Sequence, residues 1–251
     1  MQILVTGAAS GIGEGIAKHL ASLGHTLLVS DLSLVNAERV VSEIKASGGQ
    51  ATAVALNVTS QPDIDNLVKQ LKHPIDVLIN NAGVQHVESL ETFPMDKWDF
   101  LIQVMLVGVA RLTQAVLPQM KAQNFGRVIN VGSIHALIAA PYKSAYIAAK
   151  HGLLGLSKTI ALEVADSNIT INTLCPAYVK TPLVEKQIAA QALEHGISED
   201  EVVRNIMLEP MPKKSFISIE ELAGTVEFLI SETARNITAQ TIVLDGGWTA
   251  R

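Results

Sequence analysis

The segment from residue 2 to residue 23 reads QILVTGAASGIGEGIAKHLASL and combines three patterns. QILVT is a short apolar run, which is typical of a buried strand. Gly7, Gly11 and Gly13 follow it, and a helical pattern then continues through Leu23. Without side chains at these glycines, the backbone can turn tightly and present helix N-terminal amides to a diphosphate. Glycines also mark ordinary turns. The cluster indicates a diphosphate-binding turn because it lies between a strand and a helix.

Strands and helices alternate along the rest of the chain. Apolar runs predict further strands over 26–31, 51–58, 75–83, 126–133, 169–176 and 240–247. Helical patterns cover 35–47, 63–71, 95–124, 144–165 and 218–231. This alternation predicts a doubly wound α/β fold of the Rossmann type, with about seven parallel strands and helices on both faces.

No linker or internal repeat interrupts the pattern, so residues 1–251 are expected to form a single domain for dinucleotide binding and catalysis. Residues 183–214 contain helical pieces broken by Pro210 and Pro212. Because this segment is long and follows the sixth strand, it predicts a small helical lid that closes over a pocket.

Composition and charge argue against several classes of protein. Hydrophobic residues make up 48% of the 251 residues and charged residues 17%, which is a globular composition. The net charge of −5 argues against a nucleic-acid partner. Cys175 is the single cysteine, so no internal disulfide can form and a reducing cytoplasm is the expected setting. We expect no signal peptide, no membrane span and no metal site, because no charged opening, sufficiently long apolar run or ligand cluster is visible.

A hydroxyl, a phenol and an ammonium fall in the segment from Ser133 to Lys150. Tyr146 and Lys150 are four residues apart, so a helix that begins at Ser144 places them on one face. Ser133 ends an apolar run, and a strand end followed by a loop and a helix can bring all three side chains together. An ammonium beside a phenol favours the phenolate, so Lys150 is expected to lower the pKa of Tyr146. Tyr-x-x-x-Lys alone is also common on helices that have no catalytic role.

Asp31 ends the second predicted strand, eighteen residues after Gly13. A carboxylate at this place can accept hydrogen bonds from an adenosine ribose and would repel a 2′-phosphate. Asp31 therefore predicts NAD as the cofactor, although a helix cap or a turn acid would explain the residue equally simply.

Four motifs occur in a fixed order: Thr6–Gly13 (TGAASGIG), Asn80–Gly83 (NNAG), Ser133 and Tyr146-x-x-x-Lys150. From residue 2 to about residue 248, the chain resembles the short-chain dehydrogenase/reductase family. The resemblance implies hydride transfer between a nicotinamide cofactor and a substrate. It implies that Tyr146 exchanges a proton with the substrate oxygen, that Ser133 hydrogen-bonds this oxygen, and that Lys150 holds the nicotinamide ribose.

The resemblance also implies a set of cofactor-binding residues and an oligomeric state. Asn81 to Gly83 are expected to line the cofactor groove, and Thr181 is expected to bind the nicotinamide carboxamide. The full expected set is Gly7, Ser10, Gly11, Ile12, Gly13, Asp31, Asn57, Val58, Asn81, Ala82, Gly83, Tyr146, Lys150, Val179 and Thr181. Because family members form tetramers, we expect a homotetramer in which Trp248 packs under a subunit interface or walls a neighbouring subunit's pocket.

The chain departs from the family pattern at three positions. Met105 stands where the family usually carries an asparagine linked to a water-mediated proton path from the lysine. A thioether cannot donate a hydrogen bond, so the path must use the backbone or another route. Asn57 replaces an aspartate that contacts adenine, with little expected change. Ala177 replaces a glycine and is expected to restrict the local backbone.

Four polar residues lie close to the motifs: Gln85, His135, Lys143 and Gln187. Together with Ser133 and Tyr146 they form the expected substrate site. Their donors suit a carboxylate, and Lys143 adds a positive charge, so the expected substrate is a small hydroxy or keto acid. Each has a simpler interpretation as a loop histidine, a solvated lysine or a surface glutamine.

Three functions remain open at this point. The first is an NAD-dependent dehydrogenase acting on a small hydroxy acid. The second is another short-chain reductase, such as a 3-oxoacyl reductase that uses NADPH. The third is a cofactor-binding protein with impaired turnover, which Met105 suggests and the intact Ser133, Tyr146 and Lys150 argue against.

Overall fold

A seven-stranded parallel sheet forms the centre of the molecule. The computed structural model describes residues 1–250, except for the side chain of residue 183. The strands are β1 (Gln2–Thr6), β2 (Thr26–Asp31), β3 (Gln50–Ala55), β4 (Val77–Asn80), β5 (Gly126–Val131), β6 (Ile169–Pro176) and β7 (Thr241–Leu244). Their order is β3-β2-β1-β4-β5-β6-β7, with parallel neighbours throughout. The predicted fold class is confirmed, and the winding direction reverses between β1 and β4.

Helices cover both faces of the sheet. They are α1 (Gly11–Ser22), α2 (Leu34–Ala46), α3 (Gln61–Gln70), α4 (Met95–Ile102), α5 (Gly108–Ala122), α6 (Ser144–Glu163), α7 (Pro182–His195), α8 (Glu199–Val202) and α9 (Ile219–Ile230). Buried side chains of α1, α2 and α9 form one core with the sheet, and those of α3, α5 and α6 form a second core on the other face. Every residue of β5 and β6 is buried. Both strands also bury polar side chains, including Arg127, Asn130 and Asn172, so they depart from the continuous apolar run that is typical of strands covered on both faces.

Serine side chains fix the starts of several helices. Ser33, Ser60 and Ser218 each accept a hydrogen bond from a backbone amide in the first turn of α2, α3 and α9. Such caps satisfy amides that have no partner inside the helix. Ser10 precedes α1, but its side chain makes no capping hydrogen bond. The first-turn amides of α1 therefore lack the side-chain acceptor that those three helices have.

Four predicted strands end two or three residues earlier than expected. The strands predicted over 51–58, 75–83, 126–133 and 240–247 end at Ala55, Asn80, Val131 and Leu244. In each case the following residues leave the sheet at its carboxyl edge. Asn57, for example, accepts hydrogen bonds from the backbone and hydroxyl of Thr59.

The helix predicted over 95–124 contains a π-helical turn at Gln103–Val107, with Met105 at its centre. The continuous helix from Met95 to Ala122 has 28 residues and a mean hydropathy of 1.8 in its most apolar window, so it is long and apolar enough to cross a membrane. The expectation that no apolar run reaches this length is wrong for this helix. Its apolar side chains, including Met105, Leu112 and Val116, belong to the second core.

The segment predicted as a lid contains α7, α8 and a further π-helical turn at Val203–Met207. Ile188, Val202 and Met207 form a small apolar cluster of their own. The cluster is separate from the two cores that hold the sheet, which suits a unit that moves as one body. Closure of this segment over a pocket remains a prediction.

Substitution of Gly13 tests how tightly the first turn of α1 is packed. A Cβ added at Gly13 would lie 2.6 Å from the Gly7 carbonyl oxygen and would also collide with the amide of Asn81. We expect Gly13→Ala to lower the free energy of unfolding by about 1–3 kcal/mol, because the turn must shift to accept the methyl group. Thermal or urea unfolding measures this change.

Gly155→Ala is the matched control for this substitution. Gly155 lies in the middle of α6, and no atom comes within 4 Å of an added Cβ. Alanine there should raise the free energy of unfolding by about 0.4–1 kcal/mol, because the unfolded chain loses conformational freedom. Equal effects of the two substitutions would contradict the packing described for Gly13.

Candidate active site

A hydrogen-bonded clamp joins the loops that follow β1 and β4. The Thr6 hydroxyl accepts from the backbone amides of Asn81 and Ala82, at 3.0 Å each. The side-chain amide of Asn81 donates to the Thr6 carbonyl at 2.9 Å and to the Gly7 carbonyl at 3.0 Å. Gly7 has φ +61°, and an added Cβ would lie 2.9 Å from the Cα of Ala82. Only glycine fits this close approach without strain.

A cavity of about 470 Å³ opens above the clamp, at the carboxyl edge of the sheet. Doubly wound folds commonly bind ligands here, where the winding direction reverses. Sixteen of the predicted site residues line it: Gly7, Ser10, Gly11, Ile12, Asp31, Asn81, Gly83, Gln85, Ser133, His135, Lys143, Tyr146, Lys150, Val179, Thr181 and Gln187. The glycine-rich turn, the Ser133–Tyr146–Lys150 group and the four polar residues thus share one cavity.

Four predicted cofactor residues do not line this cavity: Gly13, Asn57, Val58 and Ala82. Gly13 and Ala82 lie behind its surface, where they allow the two loops of the clamp to approach each other. Asn57 uses its side-chain oxygen within the loop before α3. Direct contact between these four residues and a cofactor remains a prediction.

The free amides of α1 and the carboxylate of Asp31 fit a dinucleotide. Gly11 has φ +57°, and its added Cβ would meet only the Thr181 side chain, so the backbone of the turn faces the cavity. The uncapped first turn of α1 offers donors to a diphosphate. One carboxylate oxygen of Asp31 accepts from the Ser33 amide at 3.1 Å, and the other has no hydrogen-bond partner among residues 1–250.

Lys150 is buried and positioned by the backbone. Its ammonium donates to the Val131 carbonyl at 2.7 Å and lies 5.6 Å from the centroid of the Tyr146 ring. Burial lowers the pKa of Lys150 to about 8. No carboxylate in the described part of the chain pairs with it, so its charge is available to a ligand.

The expectation that the Tyr146 pKa lies below that of a free tyrosine is wrong for this structure. Tyr146 faces the cavity on one side, and the dense protein around its phenol raises the pKa, while hydrogen bonding with Ser133 acts in the opposite direction. Burial disfavours the phenolate more than the surrounding groups favour it. The phenol therefore remains protonated at neutral pH and is poised as a proton donor.

Met105 lies beneath the floor of the cavity. It is almost completely buried in the π-helical turn, and its sulfur lies 3.8 Å from the place of a Cβ on Gly83. An apolar thioether at this point offers no donor to a water chain. A proton path through the backbone or another route remains a prediction.

The four residues expected to bind a carboxylate line the same cavity as Tyr146, and the His135 ring lies 6.3 Å from the Tyr146 ring. Gln85 accepts a hydrogen bond from the His86 amide through its side-chain oxygen, at 3.0 Å, and so leaves its NH₂ group free to donate. His135 is buried, and its Nδ1 has no hydrogen-bond partner within residues 1–250. Burial, together with the charge of Lys143, lowers the pKa of His135 to about 4.

Lys143 immediately precedes α6 and is half-buried. Burial lowers its pKa, and none of the ion pairs in the described structure includes it. A lysine surrounded by protein and lacking a carboxylate partner loses hydration energy that an anionic ligand can restore. The simpler interpretation of Lys143 as a solvated surface charge does not fit its burial.

Sequence reasoning missed two features of the site. Tyr178 lines the cavity, although nothing in the segment after β6 distinguishes it by spacing or charge. The Trp248 ring stacks on Tyr178, with ring centroids 5.9 Å apart, and meets His135 edge-on at 6.3 Å. The expectation for Trp248 concerned only contacts with other subunits, whereas within its own chain this side chain contacts the wall of the cavity.

The chain matches the family described as short chain dehydrogenase over residues 1–192. With the doubly wound sheet, the glycine-rich turn and the Ser133–Tyr146–Lys150 group at one edge, the chain belongs to the short-chain dehydrogenase/reductase family, and it is an oxidoreductase of that family. The family binds nicotinamide cofactors.

Relatives extend the match to the full chain. D-beta-hydroxybutyrate dehydrogenase of Rhizobium meliloti is 42% identical, covering 99% of this chain and 98% of its own length. The enzyme of the same name from Cupriavidus necator is 40% identical, covering 99% and 97%. The 3-oxoacyl-(acyl-carrier-protein) reductase FabG of Staphylococcus epidermidis is 37% identical, covering 97% of both chains. A crystal structure of a single-residue variant of actinorhodin polyketide ketoreductase with NADPH superposes with a TM-score of 0.94 at 30% identity, covering 100% of this chain and 97% of that one.

We expect four segments to carry the likeness to D-beta-hydroxybutyrate dehydrogenase. They are residues 81–98 (NAGVQHVESLETFPMDKW), 133–146 (SIHALIAAPYKSAY), 177–188 (AYVKTPLVEKQI) and the ending DGGWTAR. The comparison confirms the resemblance over the full length of the chain. The segments include Gln85, His135, Lys143 and Gln187, which line the cavity.

The protonation of Tyr146 predicts how the rate depends on pH. Because burial raises the phenol's pKa, the phenolate needed to accept a proton becomes more abundant as pH rises, whereas the phenol that donates becomes less abundant. We expect kcat/KM for oxidation of an alcohol to increase from about pH 7 to about pH 9, and kcat/KM for reduction of the ketone not to increase. Initial rates in both directions measure this, and an oxidation rate independent of pH over that range would contradict it.

Proposed function

We propose that this protein catalyses the NAD-dependent, reversible oxidation of (R)-3-hydroxybutyrate to acetoacetate. The observation that carries the proposal is the half-buried Lys143 without an anionic partner in the described residues, in the same cavity as Tyr146. A small hydroxy acid provides both the carboxylate for Lys143 and the hydroxyl for Tyr146. The full-length relatives named D-beta-hydroxybutyrate dehydrogenase support this choice of substrate.

In the proposed reaction, Ser133 and Tyr146 hold the oxygen of the reacting carbon. A bound nicotinamide supplies the hydride acceptor for oxidation and the hydride donor for reduction. During oxidation the Tyr146 oxygen takes the proton from the substrate hydroxyl, and during reduction it returns this proton to the ketone. The positive charge of Lys150 favours the phenolate at the moment when Tyr146 has given up its proton.

The carboxylate end of the cavity fixes the other end of the substrate. Lys143 provides a charge, and the free NH₂ group of Gln85 provides a neutral donor. His135 is neutral at pH 7, so one ring nitrogen carries a proton and the other does not. Gln187 lies on α7, within the segment proposed as a lid. When that segment closes, its side-chain amide donates a further hydrogen bond to the carboxylate.

Two features support NAD over NADP. Asp31 places a carboxylate at the end of β2, where a 2′-phosphate would meet its charge. Arg39 contacts the glycine-rich turn through the Ala9 carbonyl at 2.8 Å, but Glu14 and Glu43 each pair with its guanidinium at 2.7 Å. The arginine at this turn is thus already neutralised and offers little to an additional phosphate.

Substitution of Asp31 tests the cofactor preference. We expect the unaltered chain to have a higher kcat/KM with NAD than with NADP, and Asp31→Asn to lower the NAD/NADP ratio at least about tenfold, because one repulsive charge is removed. Steady-state kinetics with both cofactors measure the ratio. Asp65→Asn, on the exposed side of α3, is the control and should leave the ratio unchanged. A preference for NADP in the unaltered chain would refute the cofactor assignment.

Substitution of Lys143 tests the carboxylate site. Lys143→Gln should lower kcat/KM for (R)-3-hydroxybutyrate by about 10- to 100-fold, mainly through a higher KM, because a charge-assisted hydrogen bond is lost. Lys158→Gln, at an exposed position of α6, provides a charge-matched control. If both variants keep the kinetic constants of the unaltered chain, Lys143 does not bind the substrate.

The alternative function is reduction of a 3-oxoacyl thioester with NADPH. The FabG relative at 37% identity favours it, whereas Asp31 and Lys143 argue against it. A thioester is neutral, so it offers no charge to Lys143. Direct comparison of acetoacetate with an acetoacetyl thioester separates the two functions, since the proposed enzyme should reduce the free acid far more efficiently.

The assembly and cellular setting are also part of the proposal. Phe100 on α4 and Leu162 on α6 are large apolar side chains that are 47% and 76% exposed. These faces suit helix pairing between subunits of a homotetramer. We propose a cytoplasmic enzyme that acts on a small-molecule substrate without a nucleic-acid or membrane partner.

A further inference from the structure

Tyr178 has a firmly fixed backbone beside the candidate active site. It follows β6, and its carbonyl accepts a hydrogen bond from the Ile217 amide at 2.9 Å. The next residue, Val179, forms a parallel bridge with Ile217. The chain therefore holds Tyr178 at the cavity wall through contacts outside the sheet.

The ring of Tyr178 is fixed as well. It stacks on Trp248 with ring centroids 5.9 Å apart and an interplanar angle of 25°. Trp248 is itself held by a tight turn, in which the Asp245 carboxylate accepts from the amides of Gly247 and Thr249 at 2.8 and 2.7 Å. The C-terminal turn thus packs against the Tyr178 ring and restricts its rotamer, which also fixes the position of its hydroxyl.

The hydroxyl of Tyr178 has no hydrogen-bond partner in the part of the chain that the structure describes. Tyr178 lines the same cavity as Tyr146 and lies close enough to interact electrostatically with its phenol. Burial raises the pKa of Tyr178, so its hydroxyl keeps its proton at neutral pH and can donate it in a hydrogen bond. Tyr178 is therefore a braced side chain that lines a ligand cavity, and its hydroxyl has no partner in the described residues, so it is available to a ligand.

We propose that Tyr178 determines substrate specificity by donating a hydrogen bond to the substrate carboxylate. The proposal rests on the function proposed above. Ser133 and Tyr146 already hold the oxygen of the reacting carbon, so the carboxylate is the substrate group that accepts the remaining donors. A carboxylate has about four acceptor positions. Before the segment that carries Gln187 closes, Lys143, Gln85 and His135 leave one of these positions for Tyr178.

Tyr178→Phe tests this role, because it removes the hydroxyl and keeps the ring that stacks on Trp248. Two substrates separate the possible contacts: (R)-3-hydroxybutyrate, and (R)-butan-2-ol, which has the reacting hydroxyl but no carboxylate. We expect kcat/KM for hydroxybutyrate to fall about 10- to 100-fold, mainly through KM, and kcat/KM for butan-2-ol to stay within about twofold. Tyr142→Phe is the control, because Tyr142 is exposed and does not line the cavity.

A second measurement does not depend on turnover of the neutral alcohol. Butyrate carries the carboxylate without the hydroxyl and should inhibit competitively against hydroxybutyrate. Its inhibition constant should rise in Tyr178→Phe by about the same factor as the KM. An unchanged inhibition constant would overturn the proposed contact between Tyr178 and the carboxylate.

The outcomes distinguish this proposal from the function on which it rests. If the unaltered chain does not oxidise (R)-3-hydroxybutyrate, the proposed function fails and the role of Tyr178 fails with it. If the unaltered chain is active and Tyr178→Phe matches it in kcat/KM and butyrate inhibition, only the role of Tyr178 fails. Equal losses with both alcohols would place the effect at the reacting oxygen or in the packing on Trp248, and would also overturn the specificity role.

Discussion

The hydrogen bonds between Thr6 and Asn81 hold together the two halves of the candidate active site. The loop after β1 carries the glycine-rich turn, and the loop after β4 leads to Gln85. Parallel strands bring both loops to the same edge, but the strands alone do not fix the distance between the loops. The clamp does so, and Gly7 permits the close approach because it lacks a Cβ. The cofactor side and the substrate side of the cavity therefore depend on one local contact.

Positive charge without counter-charge is a second feature of the cavity. Lys150 and Lys143 both have pKa values lowered by burial, and neither pairs with a carboxylate in the described residues. Arg39, which contacts the glycine-rich turn, is instead paired with two glutamates. The unpaired lysines support the proposed small-acid substrate, and the paired arginine supports the proposed preference for NAD over NADP.

Much of this arrangement could be predicted from the sequence because the signals are local. The apolar residues of β5 and β6, which lie between helical patterns, predicted both strands, and the spacing of Tyr146 and Lys150 predicted one shared helix face. Features that depend on packing between distant segments could not be predicted. The pKa of Tyr146 depends on how densely the protein surrounds the phenol, and the π-helical turn around Met105 leaves no pattern in the apolar spacing. Tyr178 could not be predicted as a site residue, because its place at the cavity wall depends on stacking against Trp248, which is distant in the sequence.

The most direct test of the account is the absorbance of NADH formed from NAD with (R)- and (S)-3-hydroxybutyrate, in the unaltered chain and in Tyr146→Phe. The account predicts NADH formation from the R form alone, and none in the variant. This result requires that Tyr146 act on a hydroxyl whose position is fixed by the carboxylate at the other end of the cavity. Absence of turnover with either form while NAD still binds, or full activity in Tyr146→Phe, would contradict it.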